Sequence, residues 1–236
     1  MNFESLINYI QTTPLTWLIL TISSFKLGII LYNKSNKNIF LQPIIVAYLI
    51  ILTIVSFTNT PFKEYFKSVE IIHFFLGPAT VALALPLYKN LKYIKSLFFP
   101  IFITLFFGSI FTISISVCIL WFLDSNSLTI LSMTTKSITA PIAIISSEQI
   151  GAIPSLAVGF VIITGIIGAV FGTTVFKIMR IKNDTSQGFA LGLISHGIGT
   201  AKAVEISQRA AAFSALAMGL NGIFTAILLP FFINLF

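Results

Sequence analysis

The sequence predicts an all-α polytopic membrane protein: about six full transmembrane helices plus two broken or re-entrant helical hairpins, a pattern compatible with an inverted repeat. Three observations predict it. Of 236 residues, 56% are hydrophobic and only 9% charged, with a mean hydropathy of +1.00, whereas a soluble domain carries about 25% charged residues. Apolar runs close to the ~20 residues that a span requires alternate with short lysine-bearing loops. Two polar islands interrupt this pattern, LSMTTKSITAPIAIISSEQIGAIP at 131–154 and SQGFALGLISHGIGTAKAVEISQR at 186–209.

The composition also excludes. The net charge of +7 sits in loops between apolar runs, as the positive-inside rule expects. There is no basic tract interleaved with aromatics, so the expected surroundings are a lipid bilayer and not nucleic acid. Cys118 is the single cysteine, which rules out an internal disulfide framework or a cysteine metal site; no metal and no cofactor are expected. The N-terminal MNFESLINYI lacks a basic n-region and does not read as a cleaved signal peptide. No GxSxG, HExxH or P-loop appears, so neither an enzyme nor an ATP-driven pump is expected. The chain reads as a single membrane domain, 1–236, of the cell membrane.

Taken in order, the first span is Pro14–Tyr32, with Lys26 snorkelling toward the basic loop 33–38. The second is Ile39–Phe57, with Pro43 near its start, where a helix tolerates proline. The third, Val69–Tyr88, holds Gly77-Pro78 and should kink or break there; His73 just before it reads as structural. After the loop carrying Lys89, Lys92 and Lys95 comes a fourth span, Ser96–Leu123. The first island occupies 126–153. Pro154–Met179 follows, and its Gly165, Gly168 and Gly172 would let another helix approach closely. The basic loop 177–187, the second island and a last span, Ala210–Phe236, complete the chain.

Charge parity bears on the islands. If the first island crosses the membrane, three crossings separate loops 89–95 and 177–187, and one basic loop faces the wrong side. If it dips in and returns, with a break at Pro141, two crossings separate them and the rule holds. Such backbone is tolerated only where protein or a water-filled cavity covers it. The second island then enters from the opposite side, its tip at Ser195-His196-Gly197-Ile198-Gly199. A rival reading has both islands crossing as unwound helices. Sliding the chain by sixty residues pairs Ile138 with Ile198, Ala143 with Ala203, Ser147 with Ser207 and Gly159 with Gly219, which suits repeat units at 126–180 and 186–236. Inverted repeats with broken helices meeting at the midplane are a transporter signature.

Polar groups at membrane depth are costly and default to a functional site. Broken helices offer free N–H groups and a positive dipole end to an anion. In the first island Thr134, Thr135, Ser137 and Thr139 surround Lys136; in the second, Ser195, His196 and Thr200 accompany Gly197 and Gly199. Two cations, many hydroxyls and few carboxylates suit a small hydroxylated carboxylate. Glu148 and Glu205 are expected to pair with Lys136 or Lys202, or to carry a coupling proton. A plain intrahelical Lys202–Glu205 pair is the blander alternative, as an interhelical hydrogen bond is for Asn221.

Six motifs carry a resemblance: FLGPATVALALPLY at 75–88, KSITAPIA at 136–143, SEQIGAIPSL at 147–156, FVIITGIIGAV at 160–170, SHGIGTA at 195–201 and FSALAMGLNGI at 213–223. With them the chain resembles the LrgB/CidB family and is similar to the C-terminal half of the plastidic glycolate/glycerate translocator. Three positions depart from that pattern: Thr135 replaces a usual proline, Ala140 a threonine, and Lys202 stands where arginine is common. The resemblance implies either a carrier of glycolate, glycerate or pyruvate, or an antiholin-like or holin-like regulator of murein hydrolase activity and cell lysis. It also implies a small LrgA/CidA-like membrane subunit as partner; self-association into a homo-oligomer is expected beside it.

Overall fold

A computed structural model describes residues 13–35, 38 and 41–233, without the side chains at 73, 76, 77, 80 and 231–233. The readings of the N-terminal peptide and of the His73 side chain therefore lie outside the described residues. Everything described is helix, turn or connecting segment, and the chain forms two compact units, 1–82 and 83–236.

In the first unit, α1 (Pro14–Lys34) and α2 (Pro43–Phe57) each begin on proline, which loses no hydrogen bond in a first turn. The two helices touch where Gly28 meets Pro43; a Cβ at 28 would lie 2.8 Å from the Pro43 backbone. Trp17 is buried against Tyr65 of α3 (Phe62–Ser68), ring edge to face at 5.4 Å, and Tyr65 Oη bonds Thr21 Oγ1 at 3.1 Å. Lys26 is exposed. Short helices α4 (Glu70–Phe74) and α5 (Leu76–Ala82) end this unit.

The second unit opens with two more short helices, α6 (Ala84–Lys89) and α7 (Leu91–Ser96). The third span at 69–88, expected to kink or break at Gly77-Pro78, is a series of short pieces whose breaks fall on either side of that pair. Proline accounts for this, since Pro78 and Pro86 each remove a backbone donor and crowd the preceding turn. Among the described residues four helices are long and apolar enough to cross a membrane: α1, α8 (Phe98–Phe122), α11 (Pro154–Ile178) and α13 (Gln208–Ile233), the last judged over Gln208–Pro230. With the 15-residue apolar α2, that is fewer uninterrupted spans than the six expected. The chain is a helical multi-pass membrane protein.

Between α8 and α11 lie α9 (Ser127–Met133) and α10 (Ala140–Gln149). Asn126 caps α9 by accepting the Thr129 N–H at 2.8 Å, and Gly151, at φ +69°, ends α10. Neither helix alone covers the ~30 Å of hydrocarbon at ~1.5 Å per residue. They do not cross in series either: Ser132 Oγ accepts the N–H of Ile153 at 3.1 Å, 21 residues later. The first island therefore closes on itself as a hairpin, and only α8 and α11 separate the two basic loops.

The second island is α12 (Asp184–Ile206), capped by Asn183, which accepts the N–H groups of Thr185 and Ser186 at 2.8 and 3.3 Å. It breaks at His196, whose φ 42° and ψ −129° leave the helical region. The chain reverses there. A Cβ on Gly199 would overlap the carbonyl of Leu191, eight residues earlier, and only antiparallel halves bring those atoms together. Close approaches of Gly188 to Ala210 and of Gly192 to Ser214 then lay the start of α13 along the descending half of α12. Hairpin followed by long helix occurs twice.

Candidate functional site

The two hairpin tips meet inside the second unit. Lys136, in the turn between α9 and α10, donates from Nζ to the carbonyl of Thr112 at 3.3 Å and to Ser137 Oγ at 3.1 Å. Thr112 lies ten residues before the end of α8, about 15 Å deep along a helix of that rise. His196 donates its Nε2–H to the carbonyl of Val161 at 2.9 Å, and its ring lies across the middle of α11, 2.7 Å from where a Cβ on Gly165 would stand. Val161 joins both tips, since its side chain packs with Ile138 and Ala143 of the first hairpin while its carbonyl holds His196 of the second.

Asn221 completes the junction. It is 1% exposed, halfway along α13. Its amide donates to the carbonyls of Ser137 and Leu193, both at 2.9 Å, and its Oδ1 accepts from Ser109 at 2.6 Å and Thr225 at 3.3 Å. Both donors and both acceptor sites are satisfied, so one side chain ties the first tip, the second hairpin and α8. Sequence reasoning gave it a plain interhelical bond; a lone asparagine mid-span carries no sign of how many elements it joins.

The expected site residues divide. Thr134 and Thr135 are buried, but their hydroxyls donate to the carbonyls of Leu131 at 2.6 Å and Ser132 at 2.9 Å. They hold the turn's backbone and are not free donors, a habit of threonine near freed carbonyls. Thr139 stands at the N-cap of α10 without a capping bond. Ser137 holds Lys136, and Thr200 Oγ1 donates to the His196 carbonyl at 2.8 Å and bonds Ser214 Oγ at 2.9 Å. Gly197 is exposed at the reversal and Gly199 is buried against Leu191. Ser195 Oγ is buried without a hydrogen-bond partner, facing Gly168 of α11. An orphaned hydroxyl of this kind awaits explanation. The glycines of α11 meet the second hairpin as their spacing suggested: Gly165 faces His196, Gly168 faces Ser195 and Gly172 faces Leu191.

The ion-pair expectations need one correction. Glu148 is exposed at the end of α10 and makes no ion pair among the described residues. It lies near the mouth of its hairpin while Lys136 lies at the tip, so α10 holds them a helix length apart. Lys202 is buried and pairs with the exposed Glu205 at 2.6 Å, three residues on. Lys136 has no carboxylate within ion-pair distance among the described residues. A pocket of about 360 Å³ lies between α8 and the descending half of α12, lined by Tyr93, Thr104, Thr185 and Ser186 and reaching Leu193, whose carbonyl Asn221 holds. Among the described residues no group of His, Cys, Asp and Glu is placed to hold a metal.

Comparison with known proteins gives one consistent answer. The LrgB-like family matches residues 21–235. Antiholin-like protein LrgB of Bacillus subtilis (strain 168) is 29% identical, covering 94% of this chain and 96% of its own. The proteins of the same name from Bacillus mycoides (strain KBAB4) and Bacillus cereus (strain B4264) are each 29% identical over 93% of this chain and 96% of theirs. No solved structure matches the chain significantly.

Proposed function

This chain belongs to the LrgB-like family, and from that premise we propose that it is a secondary carrier for small monocarboxylates of the glycolate, glycerate or pyruvate type, in the cell membrane. One observation carries the reading: Lys136 sits at the junction of two broken hairpins with a carbonyl and a hydroxyl as partners and, among the described residues, no carboxylate. A lysine at the centre of a membrane helix costs about 3 kcal/mol. A visiting carboxylate offsets that cost. The unpartnered Ser195 hydroxyl suits a solute that carries oxygen acceptors, and the pocket ending at Leu193 gives it an approach. Transport is driven by a proton gradient or by exchange, with a small LrgA-like subunit as partner.

The test is uptake of labelled glycolate, glycerate and pyruvate by liposomes containing the purified protein, with the small subunit added in a parallel set. Uptake above empty liposomes is expected, and its loss in Lys136→Ala; wild-type rates from that variant would remove the proposed site.

The names of the relatives favour a second reading, an antiholin-like regulator of lysis. It gains if the liposomes ignore carboxylates while the protein alters the release of large dyes by a holin-like partner.

A further inference from the structure

A second cavity, of about 400 Å³, lies between α8 and α13. Its walls are aliphatic and aromatic, Phe98 and Phe102 on one side and Leu220 and Ile227 on the other; among the described residues Lys95 alone contributes charge. Along α13 the walls run from Leu216 to Ile227, roughly 16 Å of helix, enough to lie along a long stretch of acyl chain in a ~30 Å hydrocarbon core. Phe98, Phe102 and Ile227 are all more than half exposed, so the groove opens sideways and not into the junction of the hairpin tips.

Lys95 supplies a cation to the groove's wall, and two more basic side chains lie close to it in the sequence or on the neighbouring elements. Lys92 and Lys95 are three residues apart on α7 and share a face. Arg209, at the start of α13, lies over the ring of Tyr93 with its guanidinium carbon 5.1 Å from the centroid. These groups belong to the basic end of the chain, which faces the cytoplasm by the positive-inside rule. The lipids of that leaflet carry negative headgroups that attract lysine and arginine close to the membrane, and basic pockets between helices there bind such headgroups.

We infer that this groove is a binding site for an anionic phospholipid, an acyl chain lying between α8 and α13 and the phosphate held by Lys95. The inference is independent of what solute the protein carries. Groove and cation occur together, and each selects for a different part of the same molecule: hydrocarbon length for the chain, positive charge for the head.

The test is native mass spectrometry of the purified protein, released from micelles containing phosphatidylglycerol and phosphatidylcholine in equal amounts. Wild type is expected to retain phosphatidylglycerol at least fivefold over phosphatidylcholine. Lys95→Glu, at an exposed position that the fold does not depend on, should abolish the preference, and Leu220→Trp, which fills the groove, should lower retention of both lipids. Equal retention of both lipids by wild type, or an unchanged preference in Lys95→Glu, would overturn the assignment. So would a Leu220→Trp protein that keeps its lipid and loses the small membrane subunit, since the groove would then seat a protein helix.

Discussion

The Ser109 hydroxyl donates to Asn221 Oδ1 at 2.6 Å, on the side of the amide opposite the two carbonyls that fix its orientation. Ser137 and Leu193 present carbonyls, which only accept, so the NH₂ must face them and Oδ1 must face the hydroxyls of Ser109 and Thr225.

Asn221→Ala should therefore destabilise the protein by about 2–6 kcal/mol, because two buried carbonyls lose their donor at ~1–3 kcal/mol each. Asn221→Asp should be at least as harmful, since a carboxylate turns oxygen toward oxygen. Thermal unfolding in detergent measures both. A melting temperature within one or two degrees of wild type for Asn221→Ala would mean the tips are held by something else.

Lys136→Met should separate stability from activity. It removes a charge from the membrane interior and keeps an apolar stem of similar length. Stability is expected to hold or rise, by up to about 3 kcal/mol, while carboxylate uptake falls at least tenfold. Loss of both together would show that Lys136 is a structural post.

At His196 the backbone itself can be tested. With φ 42° the position favours glycine over any residue with a Cβ. His196→Gly and His196→Ala both lose the bond to Val161, yet the glycine variant should be the more stable by about 1 kcal/mol. The reverse order, read from paired melting curves, would mean the reversal carries no strain.

The closed first hairpin predicts which side each segment faces. In a Cys118→Ser background, Ser127→Cys and Gln149→Cys should both react with an impermeant maleimide from one side of the membrane, and Lys182→Cys only from the other. Labelling of Ser127→Cys and Gln149→Cys from opposite sides would mean the island crosses.

Both hairpins could be foreseen because their causes are local or arithmetic. Glycine and proline mark the breaks, and the sign of the loop charge fixes how many crossings lie between them. The α11 glycines were legible for the same reason, as their spacing puts them on one face. The roles of Thr134 and Thr135 were not, because a hydroxyl beside a freed carbonyl and a hydroxyl beside a solute look alike in sequence. Nor was the isolation of Lys136 from Glu148, which depends on α10 running back toward the hairpin's mouth. The stretch 69–88 reads as a span by hydropathy alone, and its prolines, set about two turns apart, cut it into pieces.

Gly168 and Ser195 occupy a space with room for a single side chain. The hydroxyl now arrives from the hairpin, but the same volume could be filled from the long helix. A reciprocal exchange, Gly168→Ser with Ser195→Gly, conserves atoms while moving their attachment from a bent segment to a straight one. Relatives that have drifted at one of these positions should have drifted at the other, and the two sites can be expected to change as a couple.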